Sequence, residues 1–274
     1  MGIGDEIITT SYARRIFKET GRKSAIARLG YWSPVFDHNP KILREPELGC
    51  ALLPWVTGCR PYIDYGRSDD KHFAWNWRFK AQPGELYFAP EELRHTMRGF
   101  VYIEPNVKNP DANKDWGFDR WQKVVDSMPH IPWVQGTGRK LAGVTQVETT
   151  SFRDACALLK NASLFVGVDG ALHHASAALN VSAVVLWSGF VSPEILGYEQ
   201  HVNLCHAEEF CGRYHRCQHC MDAYSRLTVD EVIDAVQRTY NAVDGFQREA
   251  GRLPASSGFG AEIGEAQNTC ALVL

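Results

Sequence analysis

Two aspartates and two lysines occupy places where an α/β chain can do chemistry. Asp169 follows the apolar run SLFVGV and precedes ALHHASAAL, so it stands with Gly170 and Ala171 at a strand-to-helix turn. Ligands of open α/β sheets bind at the carboxyl ends of the strands, and the free N–H groups of a helix N-terminus there suit a phosphate. Gly170 lets the backbone approach closely and Ala171 adds little bulk. A carboxylate in this position also caps helices with no ligand involved. Lys108 and Lys114 lie in IEPNVKNPDANKDWGFDRW, a second strand-to-helix segment at the same sheet edge. A lysine there can neutralise a diphosphate. Trp116 gives the Lys114 loop an anchor, whereas Lys108 reads as an ordinary solvated loop lysine. Asp5, in MGIGDEIITT, reads with Gly4 as a small turn ahead of a helix. A carboxylate so placed can cap the helix.

Histidines and cysteines add two further clusters. His173 and His174 are neighbours, so on a helix their side chains diverge by about 100° and one can face a cleft while the other packs. Of eight cysteines, Cys50, Cys59, Cys156 and Cys270 are scattered, while Cys205, Cys211, Cys217 and Cys220 fall in CHAEEFCGRYHRCQHC. The spacing is C-x5-C-x5-C-x2-C, with His206, His215 and His219 interleaved. Four thiolates so close can close a tetrahedral zinc or iron site, and the C-x2-C end is a common metal-ligand spacing. A set of free thiols in a loop is the alternative.

The elements that must position these groups follow from periodicity. Ile7 to Thr20 reads as an amphipathic helix stopped by Gly21, and KSAIARL as a short strand. YWSPVFDHNPKIL reads as loop, residues 45–80 have no clear assignment, and GELYF reads as a strand. From residue 100 the pattern is regular: strand FVYIEPN, helix FDRWQKVVDSM, strand IPWVQG, helix SFRDACALLKNA, strand SLFVGV, helix ALHHASAAL, strand SAVVLWSG and, after a loop, helix LTVDEVIDAVQRTYNAV. Ser151 and Thr228 are the expected caps of two helices. Alternating apolar strands and helices predict parallel sheets covered on both faces. We read two α/β halves, 1–98 and 99–245, and a tail over 246–274. The aromatic segment CRPYIDY…KHFAWNWRF can form either the walls of a binding site, since aromatic faces stack on sugars or bases, or core.

Length and charge bound the function. The chain of 274 residues is 45% hydrophobic and 22% charged, enough for one large or two ordinary domains. A formal net charge of -3 and a pI near 6.4 argue against duplex DNA as the main partner. No run approaches the length of a membrane span and the N-terminus lacks a signal-peptide core, which points to the cytoplasm.

VGVDGALHHASAAL, with NKDW upstream and GDEIITT at the start, resembles glycosyltransferase family 9, the ADP-heptose:lipopolysaccharide heptosyltransferases and their relatives. The family pattern Asp-Ser/Thr-Gly-x-x-His-Leu-x-Ala-Ala-Leu is matched by Asp169, His174, Ala177, Ala178 and Leu179. Gly170 replaces its hydroxyl residue and Ala171 its glycine. Lys114 and Trp116 match a Lys-x-Trp, and Gly4, Asp5, Thr9 and Thr10 match Gly-Asp followed by Thr-Thr. SGFVSPE resembles a Gly-Pro-Thr-Ser-Pro loop, with Ser192 and Pro193 aligned. The resemblance covers most of the chain, strongest over 100–240 and weakest over 45–98.

The resemblance implies a GT-B fold, two Rossmann-like domains facing across a cleft, here with a shortened N-terminal domain whose first strand is missing or trimmed. It implies an inverting transfer of a sugar from a nucleoside diphosphate to an acceptor hydroxyl, with no catalytic metal. Asp5 is then the base. Gly4, Lys114, Asp169, Gly170, Ala171, His174, Ser188 and Gly189 form the donor site. Some relatives carry cysteine clusters, including iron-binding ones, so Cys205, Cys211, Cys217 and Cys220 are expected to hold a structural zinc or iron. The acceptor is a saccharide, a protein or, as a third reading, a modified nucleic-acid base. The rival class is a catalytically idle nucleotide-binding or metal-stapled assembly module, which the altered Asp-Gly-Ala turn favours.

Overall fold

A computed structural model describes residues 2–28, 30–54, 59–107, 112–213 and 215–252, with 244–252 as backbone alone. Lys108 and the segment 253–274, including Cys270, lie outside the described residues.

The first helix, α1 (Ile3–Thr20), ends where Gly21 adopts φ 70°, the left-handed cap that glycine takes without strain. It begins earlier than its apolar pattern suggests. Gly4 and Asp5 are in its first turn rather than in a turn ahead of it, because Asp5 N–H already bonds to Gly2 C=O at 2.8 Å. Three short strands follow, β1 (Ser24–Ile26), β2 (Ile42–Leu43) and β3 (Ala51–Leu53), forming a parallel sheet in the order β2-β1-β3. The expected strand GELYF belongs to neither sheet. Its backbone is spent on α1: Glu85 N–H bonds Thr10 Oγ1, and a side chain at Gly84 would collide with the Ile7 carbonyl.

The larger sheet comes from the regular half. It contains β4 (Val101–Glu104), then α2 (Phe118–Ser127), β5 (Trp133–Gln135), β6 (Thr145–Gln146), α3 (Phe152–Leu159), β7 (Leu164–Val168), α4 (Ala171–Ala178) and β8 (Ser182–Trp187). After these come α5 (Pro193–Leu196), β9 (His201–Cys205), α6 (Gln218–Arg226) and α7 (Val229–Arg252), the last extending past residue 245. All strands are parallel, in the order β6-β5-β4-β7-β8-β9. The connection reverses between β4 and β7, and this is where a doubly wound sheet opens a crevice. The caps are those read from sequence: Ser151 accepts from Asp154 N–H and Thr228 from Glu231 N–H.

One core lies under α2 and α7, where Trp121, Val124 and Val236 cover Val101, Val166 and Val184. The other joins the small sheet and α1 to the opposite face of the large one, through Ile7, Phe36, Tyr102, Phe165 and Val185. Within it α1 packs closely against α4. A Cβ on Gly4 would lie 2.6 Å from the His174 ring, so only glycine permits this approach. That contact fixes where the first turn of α1 stands relative to the end of β7.

Candidate active site

A cavity of about 470 Å³ opens between the start of α1 and the C-terminal ends of β4 and β7. Seven residues expected in the site line it: Gly4, Asp5, Lys114, Asp169, Gly170, Ala171 and His174. Ser188 and Gly189 are not among the lining residues. The turn after β8 spends them locally, since Ser188 Oγ accepts from Phe190 N–H and the Gly189 carbonyl accepts from Cys211 N–H. Phe190 is the residue of that turn that reaches the cavity.

Asp5 is buried and held at both oxygens. Tyr62 donates to Oδ1 at 2.6 Å and Arg60 Nε donates to Oδ2 at 3.1 Å. Burial pushes its carboxyl up, and the Tyr62 bond, Arg60 and the more distant Lys114 pull against that shift. Each oxygen retains acceptor capacity beyond its one bond, which a base requires. Sequence reasoning missed Arg60 and Tyr62. They lie in the unassigned aromatic segment, whose Tyr62, Phe73 and Trp75 prove to be both wall and packing: all three line the cavity, with Tyr62 and Trp75 stacked 6.4 Å apart.

Asp169 stands at the end of β7. Lys114 Nζ is 2.5 Å from its Oδ2, and His173 Nδ1 is 3.7 Å from its Oδ1. Burial alone would raise this carboxyl, but Lys114 and the neighbouring histidines hold it well below the usual range. His174 contacts Tyr198 Oη through Nδ1 at 2.7 Å, and burial, with His173 alongside, keeps it neutral. His173 is fully buried, and neither ring nitrogen has a hydrogen-bond partner among the described residues. Asp169, His173 and His174 are close enough to share a cation, and Asp169 Oδ2 already carries the Lys114 ammonium while Oδ1 faces His173.

Glu104, at the end of β4, is a third carboxylate on the cavity wall. Burial lifts its pKa to about 7, against hydrogen bonds from Asn106. Nothing in its spacing marks it out, because it ends an ordinary apolar strand.

The cysteines separate into three and one. Cys211 Sγ is 3.7 Å from Cys217 Sγ and 3.5 Å from Cys220 Sγ. Thiolates bound at about 2.3 Å to one tetrahedral ion stand roughly 3.7 Å apart, so the three fit a zinc or iron ion far better than a disulfide. Cys205, at the end of β9, does not join the close group. The cluster loop is tied to the cavity side of the molecule: Asn113, one residue before Lys114, accepts from Cys217 N–H and donates to the Arg213 and His215 carbonyls.

No family model matches the chain, and none of the curated proteins compared with it does. Solved structures do. The iron-containing dodecameric glycosyltransferase TibC from enterotoxigenic E. coli H10407 superposes with a TM-score of 0.65 at 14% identity, over 89% of this chain and 77% of that one. TibC in complex with ADP-D-beta-D-heptose gives 0.60 at 13% identity, over 89% and 75%. The glycosyl transferase family 9 structure from Veillonella parvula DSM 2008 gives 0.60 at 12% identity, over 88% and 95%. The fold is therefore α/β of the GT-B type, and the resemblance to heptosyltransferase-like glycosyltransferase family 9 read from the motifs extends to the architecture. Among the described residues, no helix is long and apolar enough to cross a membrane.

Proposed function

We propose that the protein is an inverting glycosyltransferase that moves a sugar from a nucleoside diphosphate to an acceptor hydroxyl. The observation that carries this reading is a single cavity with Asp5 on one wall and the Lys114–Asp169 pair with the start of α4 on the other. Asp5 takes the acceptor's proton as its oxygen bonds to the anomeric carbon. The bond from that carbon to the diphosphate oxygen breaks on the opposite face, which inverts the centre. The departing diphosphate is met by the Lys114 ammonium and by the free N–H groups at the first turn of α4, where Gly170 leaves the backbone bare. These groups supply the positive charge themselves, so the step is written without a catalytic metal.

ADP-linked sugars are the first donors to test, since the complex that supports the fold holds ADP-D-beta-D-heptose. The residues at 1–98 form the acceptor side and 99–245 the donor side, a division supported by the separate sheets. Cys211, Cys217 and Cys220 hold a structural zinc or iron that pins the loop beside Asn113, consistent with the geometry above and with the iron described for TibC.

Purified protein with ADP-heptose and candidate acceptors, followed by release of ADP, tests the reading. Asp5→Ala is expected to lose transfer by roughly a hundredfold or more while still binding ADP. Full turnover in that variant would remove Asp5 as the base. Donor binding without transfer in the unaltered protein would favour the idle module.

A further inference from the structure

The first helix carries a second concave surface. Beyond the turn that brings Asp5 to the reaction cavity, later turns of α1 and the segment 78–82 line a groove of about 730 Å³. The groove and the reaction cavity share no lining residue. The wall between them is aromatic: Phe79 lines the groove, Tyr62 lines the cavity, and their ring centroids are 5.9 Å apart.

The charge of the groove is one-sided. Five cations line it against the one carboxylate of Glu19, in a chain whose formal net charge is -3. Two of the five are engaged. Arg14 Nη2 donates to the Pro83 carbonyl at 2.7 Å, and Lys80 Nζ pairs with Glu199 at 2.7 Å. Arg15, Lys18 and Arg78 are exposed, and none of them pairs with a carboxylate among the described residues. Like charges gathered without partners repel one another, and an anionic ligand relieves that repulsion.

The floor narrows the ligand's identity. Ile8, Tyr12 and Phe79 are its apolar lining, and Ile8 is only 1% exposed. From Ile8 to Glu19 the helix advances roughly 16 Å, the span of about five residues of extended chain. Arg15 and Lys18 stand on α1 and Arg78 on the other segment. A chain with several carboxylates and apolar side chains between them matches both the cations and the floor. A flat bilayer surface does not reach a recessed floor, and a sulfated or phosphorylated sugar chain offers it little apolar surface.

We propose that this groove is a docking site for an acidic segment of a partner polypeptide that carries apolar side chains between its carboxylates. The carboxylates meet Arg15, Lys18 and Arg78, and the apolar side chains lie on Tyr12 and Phe79. The site is separate from the reaction cavity and does not depend on the function proposed for that cavity.

Fluorescence anisotropy with a labelled peptide of about eight alternating glutamates and leucines tests it, beside a lysine–leucine peptide, a heparin oligosaccharide and phosphatidylglycerol vesicles. The acidic peptide is expected to bind, and to bind roughly tenfold more weakly at high salt than at low salt. Lys18→Glu combined with Arg78→Glu should weaken it by roughly tenfold or more, with the melting temperature unchanged because both side chains are exposed. Lys114→Ala, which removes a cation from the reaction cavity, should leave peptide binding as it was. No binding of the acidic peptide, undiminished binding in the charge-reversed variant, or loss of binding in Lys114→Ala overturns the assignment. Tighter binding of heparin or of the vesicles, dependent on Lys18 and Arg78, overturns it too, in favour of a glycan or a membrane.

Discussion

Tyr62 donates a 2.6 Å hydrogen bond to Asp5 Oδ1 across 57 positions of sequence. The bond favours the ionised carboxylate, the form a general base needs, in a place where burial favours the neutral acid. Tyr62→Phe removes it and leaves the ring. The acidic limb of the kcat/KM profile should move to higher pH, because the carboxyl then protonates more easily. At neutral pH the rate should drop by roughly two- to tenfold. An unmoved limb would mean that Asp5 does not govern the profile.

Lys114 and Asp169 should be coupled in stability as well as in binding. Lys114→Ala leaves a buried carboxylate without its cation, and about a third of the lysine side chain is exposed, so the expected cost is about 1–3 kcal/mol. Asp169 has a depressed folded pKa. Its contribution is therefore present above the ordinary aspartate range and is lost as pH falls through and below it. Melting temperature against pH should show that acid loss in the unaltered protein and a smaller one in Asp169→Asn. Titration with ADP should show weakened binding in Lys114→Ala.

Gly4→Ala changes no polar group, yet a methyl there meets the His174 ring at 2.6 Å. Either α1 moves away from α4 or the histidine leaves Tyr198. The expected destabilisation is about 1–3 kcal/mol by overpacking. Turnover should fall more than ADP affinity, because Asp5 travels with α1 while Lys114 and Asp169 stay on the large sheet. Equal loss of both would point to general unfolding, which the melting curve separates.

Metal content divides the four clustered cysteines. Elemental analysis should find about one zinc or iron per chain, lost in Cys211→Ser, Cys217→Ser and Cys220→Ser. Cys205→Ser should retain it, since that thiol lies apart from the close trio. Metal loss in Cys205→Ser would bring it back as the fourth ligand.

Chelation is expected to lower the melting temperature without abolishing transfer by protein that remains folded. Immediate loss of transfer, with the fold intact by circular dichroism, would place the metal in the chemistry.

Four strands of the large sheet, β4, β5, β7 and β8, were legible in the sequence because their signals are local, whereas the two edge strands β6 and β9 were not expected. Apolar runs of β4, β7 and β8, the Ser151 and Thr228 caps and the Asp-Gly-Ala turn are written within a few residues of where they act. The same locality placed Asp5, Lys114, Asp169 and His174 at element ends. What sequence alone could not decide was which side chains meet across 50 or more positions. Arg60 and Tyr62 lie in a segment with no periodicity to read, and only the packing of α1 brings them to Asp5. Ser188 and Gly189 matched a motif but were claimed by the turn after β8, and Cys205 matched a spacing but stayed at its strand end. Glu104 carried no motif at all. Its place beside Gly167 follows from strand order and parallel register, which arise only when the sheet closes around its two cores.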